Sequence, residues 1–316
     1  MKKILVTGGL GYLGGRLAQR LRENGERVLI GSSRADAQLP AELSGTELIH
    51  TDYTCNQSLS RAVNDVEKVF HLASPNEVIS GKEPLAAIEG TIAATQRLLE
   101  AAVDGGVSTF VYLSTAHVYG APLVGRIDEH GATAPRHPYA ITHRAAEDFT
   151  LMFASRGQLD ARVVRLSNAF GAPAHGSVDR WTLLVNDLCR QAVETKKLVL
   201  RSDGLDERDF VPISNAVDGI IHLGEVTLPP NDARTFNVGA GKSTRVIDVA
   251  RRVQALATEL LSESVELVVP ESTRAEPPMS LEFNVKRLQS TGFVSCSDLD
   301  TEIAETLKFC LSNRVK

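Results

Sequence analysis

The chain has 316 residues, of which 43% are hydrophobic and 23% are charged, a composition that excludes collagen-like, coiled-coil and disordered proteins. The formal net charge is −5 and Lys or Arg form no long run, so we expect no nucleic-acid partner and no membrane partner. No apolar stretch approaches the ~20 residues that span a bilayer. The four cysteines are widely spaced, which predicts neither a zinc site nor a disulfide framework and favours a reduced, cytoplasmic protein.

Short apolar strands alternate with amphipathic helices through the first half of the chain. Strands are predicted over residues 4–6, 27–30, 69–73, 109–113 and 161–166, and helices over 14–24 and 85–103. This alternation is typical of parallel strands joined by right-handed crossovers, and it predicts a doubly wound α/β sheet. The second half is less regular, with helices predicted over 179–195, 246–261 and 299–311. No Pro/Gly linker separates the halves, so a second domain would be interwoven with the first.

A glycine-rich turn follows the first predicted strand. Gly8, Gly11 and Gly14 have the spacing GxxGxxG and lead into the next helix. Glycines let a pyrophosphate approach the backbone closely, and the start of the helix offers free N–H groups and a positive dipole end. We therefore predict that this turn, with Tyr12 and Leu13, binds a dinucleotide. The alternative is a purely structural turn.

The end of the second strand indicates which dinucleotide is bound. Sheets of this kind that bind NAD carry Asp or Glu there for the adenosine ribose, whereas this chain has Ser32, Ser33 and Arg34. Because a guanidinium pairs well with phosphate oxygens, the pattern favours NADP(H) over NAD(H). The alternative for Arg34 is a solvated loop arginine. Asp52 and Tyr53, after a third short strand, are predicted to lie near the adenine ring.

Further motifs follow in a recognisable order. They are TGGLGYLG at 7–14, HLAS at 71–74, LSTAHVYG at 113–120, PYAITH at 138–143, RLSNAFG at 165–171, DGLDERDFV at 203–211 and FNVGAG at 236–241. With them the chain resembles the extended short-chain dehydrogenase/reductase family, in particular its NAD(P)-dependent nucleotide-sugar epimerase/dehydratase group.

The resemblance implies how the chain divides. It places an NAD(P)-binding Rossmann domain, a doubly wound parallel sheet, at residues 1–166. A smaller, interwoven α/β region at 167–316 would mainly bind the nucleotide sugar, with segments near 208–240 returning to the Rossmann domain. The cofactor is also expected to contact the segment Leu72-Ala73-Ser74.

In this family a tyrosine and a Ser or Thr grip the reacting sugar hydroxyl, and the resemblance gives these roles to Tyr139 and Thr115. A lysine four residues after the tyrosine, a neighbour on the same helix face, commonly helps to lower the pKa of the phenol. This chain has His143 there, and a histidine is mostly neutral at pH 7. His143 is therefore interpreted as a working replacement that bonds the cofactor or becomes protonated beside a phenolate. The alternative is an impaired or repurposed site.

The residues after Thr115 narrow the reaction. Ala116 and His117 stand where the related 4,6-dehydratases have Asp and Glu, which disfavours a dehydratase. His117 is a candidate catalytic acid or base, with a structural histidine as the alternative. The prediction is a nucleotide-sugar epimerase that works through a transient keto-sugar. An NADPH-dependent keto-sugar reductase is the enzyme alternative, and a catalytically impaired dinucleotide-binding sensor or scaffold is the alternative from another class.

Substrate binding is predicted from the second half of the chain. The resemblance places Asn168 and Arg208 on the diphosphate of the substrate, where they would be charge-assisted donors. Arg274 is the second candidate phosphate arginine. Trp181 either lines a nucleobase pocket or packs within the protein.

Two expectations concern metals and assembly. No His or Cys spacing indicates a metal site. Members of the family often dimerise through two helices of each subunit, here 85–103 and 139–153, so a homodimer is expected. Apolar stripes buried within a monomer would give the same pattern.

Overall fold

Seven parallel strands form the central sheet of the computed structural model, which describes residues 2–230 and 232–313. The strands of the described residues are β1 Lys3–Thr7, β2 Val28–Ser32, β3 Glu47–His50, β4 Val66–His71, β5 Thr109–Thr115, β6 Gly125–Ile127, β7 Asp160–Leu166, β8 Asn168–Phe170, β9 Lys197–Val199, β10 Glu207–Pro212, β11 Thr235–Val238, β12 Ser243–Arg245, β13 Glu266–Val268 and β14 Leu281–Phe283. The central sheet has the order β3-β2-β1-β4-β5-β7-β11, and all neighbouring pairs in it are parallel. The order winds outward from β1 in both directions, so the predicted doubly wound, Rossmann-type fold class is confirmed.

Helices cover both faces of this sheet. The α-helices of the described residues are α1 Tyr12–Glu23, α2 Asn56–Ala62, α3 Glu77–Lys82, α4 Pro84–Ala87, α5 Ala94–Asp104, α6 Pro138–Ser155, α7 Leu184–Thr195, α8 Ile213–Glu225, α9 Val246–Leu261, α10 Lys286–Ser290 and α11 Leu299–Ser312. One buried cluster joins α1 and α8 to the sheet and includes Leu17, Phe70 and Ile220. A second cluster joins α2, α5 and α6 to the opposite face and includes Leu98 and Phe110.

Two predicted helices differ from the structure. The helix predicted over 85–103 is interrupted by a π-helical turn, Ile88–Ala93, which joins α4 to α5. The helix predicted over 179–195 begins only at Leu184, because Leu183 before it is extended, with φ −71° and ψ 131°. The residues just before α7 instead form part of a cleft wall. Apolar spacing does not separate an α-helix from a π-turn or fix a helix start to better than a few residues.

The second half of the chain contributes to two bodies. α8 packs against α1, and β11 pairs with β7 in the central sheet, with Phe236 opposite Val164. α7, α9 and α11 instead surround a separate core that contains Trp181 and Phe210. Smaller sheets (β12-β10-β8, β13-β9 and β14-β6) lie outside the central one.

Among residues 2–230 and 232–313, no helix combines the length and the apolar character that crossing a membrane requires. All four cysteines, at positions 55, 189, 296 and 310, are free.

Candidate active site

A cleft of about 960 Å³ opens at the carboxyl ends of the central strands. The glycine turn after β1 and the loops after β2, β4 and β5 form one wall, and residues of the second half form the other. In open α/β sheets this edge is where ligands bind. The topology therefore brings most of the predicted site residues to one cavity.

The glycine turn fits a pyrophosphate. Gly8 has a φ of +70°, a conformation that side chains rarely adopt, and a Cβ at Gly14 would overlap the carbonyl oxygen of Gly8. Gly11 caps α1 without a side-chain hydrogen bond, so the first turn of the helix presents its N–H groups to the cleft. Tyr12 and Leu13 also line the cleft, and the Tyr12 hydroxyl donates to the Gly171 carbonyl oxygen over 2.9 Å.

The loop after β2 forms one end of the cleft. Ser32, Ser33 and Arg34 line it, together with Tyr53. Asp52 does not lie among the lining residues. Its carboxylate accepts hydrogen bonds from the backbone N–H of Thr54 over 2.8 Å and from the Thr54 hydroxyl over 2.7 Å. These bonds lower the pKa of Asp52 and turn its side chain into its own loop.

Thr7 fixes the segment Leu72-Ala73-Ser74 against the glycine turn. Its hydroxyl oxygen accepts hydrogen bonds from the backbone N–H groups of Leu72 and Ala73, over 3.2 and 3.3 Å. The same oxygen lies 2.6 Å from Nδ1 of His71, whose Nε2 lies 3.0 Å from the Thr95 hydroxyl. The predicted cofactor segment therefore lines the cleft on a buried polar network.

Thr115 and Tyr139 meet in the cleft from two elements. Thr115 ends β5, and Tyr139 is the second residue of α6, after Pro138 at the position that favours proline. Burial raises the pKa of Tyr139 to about 12. The Glu77 carboxylate also raises it, whereas Arg180 and a hydrogen bond to Thr115 lower it. The predicted pair is therefore assembled.

His143 lies one turn after Tyr139, and the two ring centroids are 4.5 Å apart. The imidazole is only 3% exposed. Its Nδ1 lies 2.7 Å from the Tyr112 hydroxyl and its Nε2 lies 3.3 Å from the Ser74 hydroxyl. Burial lowers the pKa of His143 to about 3. The position that commonly holds a lysine ammonium thus holds a neutral ring.

His117 and Arg208 line the same cleft as Thr115. The backbone N–H of His117 donates to the Thr115 hydroxyl over 3.2 Å, and its ring lines the cleft. Desolvation is the main cause that lowers the pKa of His117, Glu77 opposes it, and Arg208 contributes to the lowering. The imidazole of His117 is therefore a neutral group that lines the cleft.

The predicted phosphate ligands separate into two groups. Asn168 and Arg208 line the cleft. Asp209, beside Arg208 on β10, is fully buried and accepts hydrogen bonds from the backbone N–H groups of Ala240 and Gly241, both over 2.9 Å. Burial raises the pKa of Asp209 to about 6. This anchoring holds β10 in place. Because side chains alternate along a strand, Arg208, the residue before Asp209, faces the opposite way.

Arg274 and Trp181 do not line the cleft. The guanidinium of Arg274 lies 2.6 Å from a carboxylate oxygen of Asp203 and 2.7 Å from one of Asp206. Trp181 is 6% exposed and packs near Phe309, with ring centroids 6.3 Å apart. The structure thus places Arg274 in an acidic clamp and favours the packing interpretation of Trp181.

Two charged residues of the cleft were missed by the sequence analysis. Glu77, at the start of α3, and Arg180, in the segment before α7, both line the cleft and pair across it over 3.1 Å. They are 103 residues apart, so no local pattern connects them. The only sequence signal was the position of Glu77 soon after a strand that ends at the cleft.

Comparison with known proteins identifies the family of the chain. A model of the NAD dependent epimerase/dehydratase family matches residues 4–239, and the chain belongs to that family. It is 27% identical to the "Uncharacterized UDP-glucose epimerase YtcB" of Bacillus subtilis, over 81% of this chain and 82% of that protein. It is also 27% identical to UDP-glucuronic acid decarboxylase 3 of Arabidopsis thaliana, over 87% and 79%. A solved structure of MoeE5 in complex with UDP-glucuronic acid and NAD superimposes with a TM-score of 0.77 at 27% identity, over 97% and 98% of the two chains.

The buried histidines predict loss of stability in acid. Burial lowers the pKa values of His71 and His143 to about 3 from the ordinary 6.5. The unfolded chain therefore binds more protons below pH 6.5, so the free energy of unfolding falls as the pH drops from about 6.5 towards 3. Each histidine contributes a slope of about 1.4 kcal/mol per pH unit.

Urea unfolding between pH 6 and pH 4 measures this slope. We expect His143→Gln to reduce it by about 1.4 kcal/mol per pH unit. His50→Gln, at an exposed histidine, is the matched control and should leave it unchanged. Equal slopes in the wild type and in His143→Gln would contradict a neutral, buried imidazole.

Proposed function

We propose that this protein is an NAD(P)-dependent nucleotide-sugar epimerase that acts through a transient keto-sugar. The observation that carries the proposal is the meeting of Thr115 and Tyr139 in the same cleft as the glycine turn, with Arg208 and Asn168 in that cleft as well. Membership of the NAD dependent epimerase/dehydratase family supports it, as does the similarity to a UDP-glucose epimerase of Bacillus subtilis.

The residues of the cleft divide the work of such a reaction. The nicotinamide dinucleotide, when bound, supplies a group that accepts and returns hydride. The glycine turn and the start of α1 hold its pyrophosphate. Arg208 and Asn168 hold the substrate diphosphate through charge-assisted donors. Thr115 orients the reacting sugar hydroxyl, and the oxygen of Tyr139 takes its proton and later returns it.

The raised pKa of Tyr139 determines how much the site must stabilise its phenolate. Burial raises it to about 12, and a base that works at neutral pH needs a value near 7. On this chain Arg180 and Thr115 lower it. His143 stays neutral because burial lowers its pKa to about 3, so it acts as a hydrogen-bonding group and not as a permanent cation.

A reductase is the second candidate. Ser32, Ser33 and Arg34 at the cofactor end of the cleft favour NADP(H), and a reductase consumes that cofactor while an epimerase regenerates it. A dinucleotide-binding sensor without activity is the third, and the neutral His143 is its support. The three differ in two measurable quantities, the sugar product and the net oxidation of the cofactor.

The test is a panel of UDP-, GDP-, CDP- and dTDP-sugars, with products followed by NMR and the nicotinamide band by absorbance. An epimerase forms a new sugar isomer without net change in absorbance. We expect Tyr139→Phe to lower kcat by roughly 10²- to 10⁴-fold, since it removes the acid/base oxygen.

Tyr119→Phe is the matched control for that substitution. The Tyr119 hydroxyl donates to Asn237 over 2.7 Å, and Tyr119 is not a lining residue of the cleft. Its kcat should stay within a few-fold of the wild type. Full activity in Tyr139→Phe would refute the proposed role. A steady fall in absorbance with NADPH and a keto-sugar would favour the reductase.

We further propose that the protein prefers NADP(H) to NAD(H). Arg34 lies at the end of the cleft beside Ser32 and Ser33, where its guanidinium can pair with a 2′-phosphate. The MoeE5 structure was solved in complex with NAD, so NAD⁺ is the cofactor against which this preference has to be measured.

Dissociation constants for NADP⁺ and NAD⁺, measured by calorimetry, test this preference. Arg34→Ala should weaken NADP⁺ binding about ten-fold or more and leave NAD⁺ binding unchanged, since it removes a charge-assisted hydrogen bond. Arg61→Ala, at an exposed residue of α2 outside the cleft lining, is the control. Equal affinity of the wild type for both cofactors would overturn the preference.

We also propose that two copies of the chain pair through α4, the π-turn that follows it, and α6. Large apolar side chains are exposed there: Leu85 is 79% exposed, Ile141 46% and Ile88, in the π-turn, 44%. α4 and the π-turn both pack against α6, so these side chains lie on neighbouring elements, and a second copy would bury them.

Sedimentation at micromolar concentration measures this assembly. The wild type should sediment as a dimer, and Leu85→Asp should shift it towards the monomer because a charge would be buried in the interface. Val294→Asp, at a side chain that is 75% exposed elsewhere, should leave the dimer intact. A wild type that is monomeric at this concentration is the result that excludes the interface.

A further inference from the structure

Tyr112 lies directly behind His143 and outside the cleft lining. It belongs to β5, where alternate side chains share one face of the sheet, and that face packs against α6. Tyr112 is 1% exposed, and its hydroxyl lies 2.7 Å from Nδ1 of His143. In the part of the chain that the structure describes, this nitrogen is the only hydrogen-bond partner of that hydroxyl.

Other polar groups near Tyr112 already have hydrogen-bond partners. The Glu147 carboxylate, one turn after His143, accepts a hydrogen bond from the Ser114 hydroxyl over 2.6 Å and three from the Arg165 guanidinium, of which the shortest is 2.7 Å. Both ring nitrogens of His71 lie against threonine hydroxyls. Among the described residues, Nδ1 of His143 is therefore the acceptor that the structure offers to the proton of the Tyr112 hydroxyl.

This geometry distinguishes the two neutral forms of the imidazole. If Nδ1 of His143 carried the proton, it would donate to Tyr112, and the phenolic proton would be buried without an acceptor. If Nε2 carries the proton, Tyr112 donates to Nδ1, and Nε2–H points to Ser74 and the cleft. An unsatisfied buried donor costs enough to bias such an equilibrium on the order of ten-fold or more. The raised pKa of Tyr112 and the lowered pKa of His143, both caused by burial, keep the phenol protonated and the ring neutral.

We propose that Tyr112 is a positioning residue that fixes His143 as the Nε2–H tautomer, so that a single neutral N–H faces the cleft beside Ser74 and Tyr139. The role of this N–H in holding the cofactor rests on the proposed function. A lysine ammonium carries only donors and needs no such partner. A neutral imidazole has one donor nitrogen and one acceptor nitrogen, so a neighbouring group has to determine which of the two donates.

Ser74 completes the arrangement on the cleft side. Its hydroxyl lies 3.3 Å from Nε2 of His143 and lines the cleft. A hydroxyl that accepts from Nε2–H keeps its own proton free for a ligand. Tyr112, His143 and Ser74 therefore form a directed chain of hydrogen bonds that ends at the cleft.

Nitrogen NMR of protein labelled with ¹⁵N-histidine tests the proposal without any activity assay. The signal that disappears in His143→Gln identifies the residue. At pH 7 the wild type should show Nε2 protonated and Nδ1 unprotonated. Tyr112→Phe removes the donor to Nδ1 and should shift the tautomer ratio at least ten-fold towards Nδ1–H, while Tyr119→Phe should leave it unchanged. A wild-type Nδ1–H, or the same tautomer in Tyr112→Phe as in the wild type, overturns the proposal.

Cofactor binding tests the consequence for the cleft. Tyr112→Phe should raise the Kd of the preferred dinucleotide about ten-fold and lower kcat, and Tyr119→Phe should change neither. A shifted tautomer with an unchanged Kd would show that Tyr112 does not contribute to cofactor binding. If the wild type binds no dinucleotide, the proposed function fails while the tautomer result still decides the role of Tyr112. Even a Tyr112→Phe protein that fails to fold leaves the wild-type spectrum as the deciding measurement.

Discussion

The hydrogen bond between Tyr112 and His143 ties the central sheet to the helix that carries Tyr139. It lies in the layer between β5 and α6, where Ser114 and Arg165 also hold Glu147. The polar contacts of this layer fix the distance and rotation of α6 relative to the strand that ends in Thr115. The position of one phenol oxygen over the cleft therefore depends on buried groups that do not line the cleft themselves.

Positive charge reaches the cleft from the second half of the chain. Arg180 lowers the pKa of Tyr139 and pairs with Glu77 on the opposite wall. Arg208 lies on β10, whose buried Asp209 holds the loop after β11 through the backbone N–H groups of Ala240 and Gly241. The imidazole of His143 contributes no charge because burial keeps it neutral. The cleft thus combines a neutral imidazole from α6 with arginines from the second half of the chain.

The sequence predicted the parts of this site that local chemistry determines. Glycine spacing after a strand predicted the glycine turn that lines the cleft, and family motifs predicted Thr115 and Tyr139. Tyr112 escaped because an aromatic residue in an apolar strand looks like ordinary core. The Glu77–Arg180 pair and the acidic clamp on Arg274 join residues far apart in the chain, and periodicity carries no signal of such contacts. The alternating strands and helices of the central sheet were predicted because apolar periodicity is a local signal. The π-turn before α5 and the short strands outside the central sheet were not predicted.

The sheet's last strand has a consequence for how the molecule comes apart. β11 comes from the second half of the chain and hydrogen-bonds to β7. A polypeptide cut after β7 would therefore leave the peptide groups on that edge of β7 without partners. An unpaired strand edge of this kind pairs with strands of other molecules. The two halves of the chain therefore share one sheet, and neither half alone keeps all of the strand pairing of that sheet.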